Sequence, residues 1–457
     1  MTIRSTRRSQ RASGPRRRTA RAAAGLAAAG LAAASLAACS STASSGSTGG
    51  NAGASGSHSS LVVADLAPFS GPDAALGPTY LVSCDGATQA INSAGGVLGH
   101  KLACKGVDTR GDPADAVPAA RQMFATTPNL ALVIGVTSDE AASVVPVINA
   151  NKMVVFGMTG QSEFDSTHFQ YFYRLVPPDL EEPYAMIVIA QQLGYKRIAL
   201  AFGNDIGSQT FIKPAVTAIS KAGMSLVANE TLDLQASTFR TEADKIVAAH
   251  PDVILTEALG PADATFLSEV KQLNAGKMIP VIGTSATISP DWYKSVAAAV
   301  GKPTLASSFH ADNLVTETSG PAYAPFQQAI MSQQGKVGST GNFATYLTAP
   351  GAVHLYDAIN LSALAMVEAK STSPSVYAPF IAKIGDGSAG AVTVYSFAQG
   401  LAALNQGKAI RYEGPGGPTS FDAFHDSTGI FQIDTYSATG AVQVTGNLTA
   451  AQLRAVS

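Results

Sequence analysis

The sequence predicts an α/β protein with two Rossmann-like lobes, each a parallel sheet wrapped by helices, joined by a multi-strand hinge. From residue 61, short β-rich apolar runs alternate with amphipathic helical stretches, the pattern of βαβ units stacked on a parallel sheet. The alternation stops at Pro177-Pro178, which can continue neither a helix nor a central strand, and then starts again. A folded part of roughly 400 residues also exceeds what one hydrophobic core usually organises.

In chain order, LVVADLA (61–67) reads as a buried strand, 73–94 as a helix closed by Gly95-Gly96, and KLACKGVD (101–108) as a second strand. Pro113 suits the first turn of a helix over 113–126, where its missing N–H costs nothing. LALVIG (130–135), a helix over 139–150 and KMVVFG (152–157) complete the first series. After FQYFYRLVPPD (169–179), the second series comprises RIALAF (197–202), a helix over 205–222, SLVANET (225–231) and a helix over 238–249. DVILTE (252–257), a helix over 261–275 and MIPVIG (278–283) continue it. PTLASSF (303–309) reads as the strand returning to the first lobe, ahead of long helices near 321–335 and 348–370. The Gly/Pro-rich stretch 413–418 is a candidate third crossover, and FQIDTYSATGAVQV (431–444) a hairpin around Ala438-Thr439-Gly440. The expected lobes are therefore 61–177 with about 308–412, and about 178–307 with 413–457. Ligands in such sheets bind beyond the carboxyl ends of the strands, so the cleft between the lobes is the expected site.

The N-terminus carries a different signal. Eight arginines precede an Ala/Leu segment at 22–35, and no acidic residue appears before Asp65, the polarity of a secretory leader. That apolar segment is too short to span a bilayer as a helix. Leu36-Ala37-Ala38-Cys39 resembles the lipobox of bacterial lipoproteins, which implies a signal peptide over 1–38 and lipid attachment at Cys39. Residues 39–60, rich in Ser and Gly, then read as a disordered tether to the outer face of the cytoplasmic membrane. An ordinary signal peptide with an incidental cysteine is the plainer alternative. Arg7-Arg8 and Arg17-Arg18 leave the export route open between the general and twin-arginine pathways. Removing the first 38 residues takes away eight arginines and no acid, moving the formal charge from −2 to −10. An acidic body argues against nucleic acid as a partner. Cys84, on the first helix, and Cys104, on the following strand, form either a helix-to-sheet disulfide or two buried thiols.

Several runs occur in one order: APFSGPDAALG (67–77), AINSAGGVLGHKL (90–102), DTRGDPADAVPAAR (108–121), VIGVTSDEAASVVPVI (133–148), FRTEADKI (239–246) and FDAFHDSTG (421–429). Together they resemble the solute-binding proteins of ABC importers of the branched-chain amino acid type, which have the type I periplasmic-binding fold. The resemblance implies a monomeric, cofactor-free binding protein, not an enzyme. Its partners would be a small-molecule ligand and the permease and ATPase subunits of an importer, and it would bind no metal. In that family, serines after the third strand hold the ligand carboxylate through hydroxyl and backbone N–H. Ser138 matches the first of them, whereas Asp139 stands where the second is usual. A carboxylate there either turns away to cap the helix or meets a cationic or hydroxyl group. The resemblance further points to Ser70 in the Ser70-Gly71-Pro72 turn, to Thr159, and to Leu76 and Ile206 at places where amino-acid binders often carry an aromatic residue. Glu257 is the preferred partner for a ligand ammonium, and Asp263 reads as dipole compensation in a first helical turn. Phe69, Phe156, Phe202 and Trp292 are candidate stacking walls, each equally suited to a core. The pocket of an amino-acid binder is thus only partly present, and an aromatic or branched carboxylate or an amide fits as well as leucine.

A ligand-sensing receptor lipoprotein of the same fold is the alternative function. The sequence has no His-Glu-x-x-His pair and no Gly-x-Ser-x-Gly elbow, which leaves an extracytoplasmic enzyme with little support.

Overall fold

The computed structural model describes residues 59–316, 318–336, 341–427 and 431–457. The leader, Cys39 and the tether, apart from residues 59 and 60, lie outside them.

Strands β1 (Leu61–Ala67), β2 (Leu102–Asp108), β3 (Leu130–Thr137), β4 (Val155–Met158) and β5 (Phe172–Arg174) form one parallel sheet in the order β2-β1-β3-β4-β5. Helices α1 (Gly77–Ser93), α2 (Pro113–Thr126) and α3 (Ser138–Ala150) connect its first four strands. Side chains alternate across the sheet as strand geometry requires. Leu61, Val63 and Ala67 of β1 join the core beneath α1, while Ala64 and Leu66 join the core beneath α2 and α3.

Helix α4 (Glu181–Gln192) opens the second series. It continues with β6 (Arg197–Gly203), α5 (Ile206–Thr210), α6 (Ile212–Lys221), β7 (Ser225–Leu232), α7 (Arg240–Ala248) and β8 (Val253–Glu257). The remaining members are α8 (Gly260–Leu273), β9 (Val281–Gly283), α9 (Pro290–Val300), α10 (Lys302–Ser308) and β10 (Phe309–Leu314). Two expectations change here. The helix expected over 205–222 is broken at Phe211 into α5 and α6, and PTLASSF is mostly the helix α10, because Pro303 sits in a first turn where it favours a helix. The strand lies just beyond, and it pairs with β9 of the second sheet. The chain therefore returns to the first lobe after Leu314, not near residue 308.

There α11 (Tyr323–Met331), α12 (Pro350–Ala369), α13 (Pro374–Asp386) and α14 (Phe397–Asn405) cover the core above α1. Helix α12 is buried continuously from Gly351 to Val367, so its apolar character all round is that of a helix enclosed by protein. No helix of the described residues is long and apolar enough to cross a membrane. A small sheet of β11 (Val392–Val394), β12 (Ile410–Gly414) and β13 (Gly417–Pro418) follows. The stretch 413–418 is thus the reversal between β12 and β13, where Gly417 takes φ 82°, and it is not a crossover. The described chain is still in the first lobe at Ser427 and is in the second sheet at Phe431, which marks the third passage between lobes.

The chain ends with β14 (Phe431–Tyr436), β15 (Val442–Asn447) and α15 (Ala450–Val456). The expected hairpin forms and adds antiparallel to β10, giving the second sheet the order β15-β14-β10-β9-β8-β6-β7. Cys84 of α1 and Cys104 of β2 are joined by a disulfide. At the hinge, the buried Arg174 binds Asp426 through Nε at 2.5 Å and through its terminal nitrogen at 2.7 Å, and also pairs with Asp165. Ser427 N–H donates to Arg174 C=O at 3.1 Å, tying the third passage to the end of β5.

Candidate ligand-binding cavity

A cavity of about 190 Å³ opens between the carboxyl ends of the two sheets. A cavity of about 150 Å³ accommodates benzene, so this one suits a body of amino-acid size. The first turns or caps of α1, α3, α4, α8, α9 and α12 all reach its wall.

On the first-lobe side, β3 carries a bulge at Gly135, whose φ of 91° suits glycine. Beyond it, Thr137 caps α3 in a reciprocal box with Glu140: its hydroxyl meets Glu140 Oε2 at 2.6 Å and its N–H donates to Oε1 at 3.2 Å. Burial pushes Glu140 up to about 7, against those hydrogen bonds. Ser138 lines the cavity, but its hydroxyl donates to Thr159 Oγ1 at 3.1 Å. Asp139 neither caps α3 nor meets a cation. It accepts from Gly207 N–H of α5, in the opposite lobe, at 2.9 Å. Asp73, in the loop before α1, lies against Asp139. Burial, then the charges of Asp139, Asp205 and Glu140, push Asp73 up to about 8.

On the second-lobe side, Glu257 ends β8 and accepts from Ser208 Oγ at 3.3 Å and from Thr284 Oγ1. Its carboxyl is raised well above the usual range by burial, with Glu182 and Asp205 adding to the shift. Asp205 caps α5 by accepting from Ser208 N–H at 2.7 Å, while its Oδ2 is buried without a hydrogen-bond partner among the described residues. Glu182 accepts from Ser285 N–H and Oγ at 3.2 and 2.8 Å. Asp179, in the hinge, accepts from Thr210 Oγ1 at 2.6 Å and is pushed up to about 7 by burial. Asp263 is buried behind the wall and accepts from Trp292 Nε1 at 2.9 Å, which fixes the indole ring at the cavity.

Of the residues the sequence singled out, Leu76, Ser138, Asp139, Glu257 and Trp292 line this cavity, and Thr159 lies directly behind Ser138. Ser70 and Ile206 do not line it. The turn at Gly71 (φ 87°) brings the loop so close to Arg110 C=O that a Cβ would lie 2.3 Å from its oxygen. There the Ser70 hydroxyl donates to Asp108 at 2.5 Å. Ile206 is 49% exposed, and it is the backbone of the next residue that reaches the other lobe. Phe69, Phe156 and Phe202 are likewise off the wall. Sequence reasoning missed Asp73, Asp179, Asp205 and Glu182 as wall residues, and Tyr80 as the aromatic side chain one turn beyond Leu76. Asp73 stands inside the run 67–77 beside a strand end, and Asp205 opens the helix expected over 205–222, places where acids are ordinarily explained by capping.

The periplasmic binding protein family matches residues 60–433. A Leu/Ile/Val-binding protein homolog 3 of Brucella melitensis biotype 1 is 24% identical over 204 residues, covering 44% of this chain and 55% of that protein. The chain thus spans about half the length of that relative. A Leu/Ile/Val-binding protein homolog 7 of Brucella suis biovar 1 is 25% identical over 334 residues, 68% of this chain and 79% of the other. Among solved structures, the branched-chain amino acid transporter substrate-binding protein of Streptococcus pneumoniae, in complex with isoleucine, superposes with a TM-score of 0.67 at 17% identity, over 85% of this chain and 99% of that one. The fold, with its cavity between two lobes, is that of the periplasmic binding proteins. This chain belongs to the periplasmic binding protein family.

Proposed function

We propose that the protein is the extracytoplasmic capture component of an ABC importer, taking a small organic solute that carries an amino group into the interlobe cavity and delivering it to a permease with its ATPase. The observation that carries this reading is the composition of the cavity wall, which draws Ser138 and Asp139 from one lobe and Asp205 and Glu257 from the other. A ligand touching both walls completes its contacts only when the lobes are together, and so stabilises the closed state over the open one. The relatives named for leucine, isoleucine and valine, and the neighbour solved with isoleucine, support a ligand of this size. Lobes 61–177 and 178–314, each completed by later segments, act as the jaws, with the protein working as a monomer held at the membrane by a lipid on Cys39.

Calorimetric titration and small-angle scattering of the purified protein against a panel of amino acids, amines, amides and carboxylates test the reading. Saturable binding accompanied by compaction is expected, and Glu257→Gln is expected to weaken it by about tenfold, the loss of one charge-assisted hydrogen bond. Binding that leaves the scattering profile unchanged and is indifferent to Glu257→Gln counts against capture in this cavity. Membrane release of Cys39→Ser tests the anchor.

A further inference from the structure

We infer that the solute is an organic cation without a carboxylate of its own, an amine or amidine on a compact apolar body, and not a zwitterionic amino acid. The inference rests on the capture reading above and narrows its ligand class.

Charge is the first ground. Among the described residues, six carboxyl side chains line the cavity (Asp73, Asp139, Asp179, Glu182, Asp205 and Glu257), and no Lys, Arg or His lines it. Helix starts reach the same wall, α5 and α6 among them through Asp205 and Phe211, and each contributes about half a positive unit, so eight offset about four of the six carboxyl charges and leave a negative excess. Among the described residues, Arg174 is the cation that acts on this cluster, through Asp179, and its guanidinium is already taken up by Asp426 and Asp165.

The second ground is the fate of the groups that would receive a ligand carboxylate. Ser138's hydroxyl proton is directed to Thr159 Oγ1. The start of α3 already carries Asp139 and Glu140 in its first turn, with Glu140 occupying Thr137 N–H. A ligand carboxylate placed there would face two protein carboxyls and find the hydroxyl turned away, a repulsive arrangement in a low-dielectric cavity. A cation meets the opposite situation: Asp205 Oδ2 has no donor among the described residues and gains one, while the hydrogen-bonded carboxyl pair of Asp73 and Asp139 gains a neutralising charge. Leu76, Tyr80, Phe211 and Trp292 supply the apolar and aromatic surface for the rest of the solute.

Proton release on binding follows. With no ligand present, crowding and burial hold part of the carboxyl set protonated, as the upward shifts of Asp73, Asp139, Asp179, Glu182 and Glu257 indicate. The neighbours that set this balance are Glu140, Tyr80, Asp165, Asp312 and Arg174, of which only Arg174 is cationic. A bound cation favours the charged forms and expels protons, whereas a bound anion takes protons up.

Four probes on one branched skeleton separate the classes: isopentylamine, leucine, 4-methylpentanoate and 4-methylpentanamide, titrated into the purified protein at pH 7 in two buffers of different ionisation enthalpy. The expected result is saturable binding of isopentylamine, at least about tenfold tighter than any of the other three, with the buffer dependence of the heat reporting proton release. Asp73→Asn is expected to weaken the amine and to diminish that release, while leaving the melting temperature of the unliganded protein unchanged or higher, which separates lost binding from lost fold. Tighter binding of leucine, the carboxylate or the amide overturns the cation and leaves the capture reading standing. Failure of isopentylamine to saturate overturns the cation as well. Isopentylamine binding with compaction but with proton uptake overturns the electrostatic argument on which the class rests.

Discussion

Asp139 Oδ1 accepts the Gly207 N–H across the mouth of the cavity at 2.9 Å, joining the first turn of α3 in one lobe to the start of α5 in the other. The bond is charge-assisted, and its donor is a backbone group at a helix N-terminus, so it is stronger than a neutral pair. It forms only when the two lobes are together. Asp139→Ala is expected to shift the population toward open lobes and to weaken solute capture by about tenfold or more, whereas Asp139→Asn, which keeps an acceptor oxygen, retains most of the closure. Small-angle scattering with and without solute measures the difference.

Arg174 is the second point at which the lobes depend on one side chain. It is fully buried, binds Asp426 through two nitrogens, and donates to Gln161 C=O at 3.2 Å. Arg174→Met leaves the carboxylate of Asp426 buried without its cation, and a loss of about 3–5 kcal/mol in denaturant unfolding is expected. Removing both partners, Arg174→Met with Asp426→Leu, is expected to recover most of that loss.

Stability should fall as pH rises. Burial raises Asp73 to about 8, and Asp179, Glu140 and Asp263 to about 7, whereas the same side chains titrate near about 4 when unfolded. Between about pH 4 and pH 8 the native state therefore binds more protons than the unfolded state, and unfolding becomes easier with each step upward in pH. The ligand-free protein is expected to melt at a higher temperature at about pH 5 than at about pH 8. Asp73→Asn should flatten the slope. A melting temperature that climbs across this window contradicts the burial of these groups.

The disulfide between Cys84 and Cys104 closes a loop with a sequence separation of 20. Chain entropy assigns such a loop about 3 kcal/mol, so Cys84→Ser with Cys104→Ser is expected to lower unfolding stability by that order without altering solute affinity. Denaturant melts of the double variant, paired with calorimetry, check both parts.

The architecture was legible because short β-rich apolar runs such as Val253–Glu257 and turn residues such as Pro177-Pro178 act locally. Passages between lobes were less so. Pro303 serves a helix start as well as a strand edge, and Gly417 a tight reversal as well as a linker, so the chain changes lobes after Leu314 and after Ser427, later than expected. On the cavity wall, Ser138 and Asp139 were pointed to by the family resemblance at the end of the third strand, and Glu257 by the same resemblance together with its place at a strand end facing the cleft. Asp73, Asp179, Glu182 and Asp205 were not. Each stands in a loop or at a helix start where an acid already has a local explanation, and only the folded chain brings the four together.

Trp292 is the one tryptophan in the chain, and it sits on the cavity wall with its indole N–H held by Asp263. The molecule therefore carries a built-in optical gauge. Near-ultraviolet emission comes chiefly from a single ring whose surroundings change when a guest arrives, so occupancy can be followed without attaching a dye.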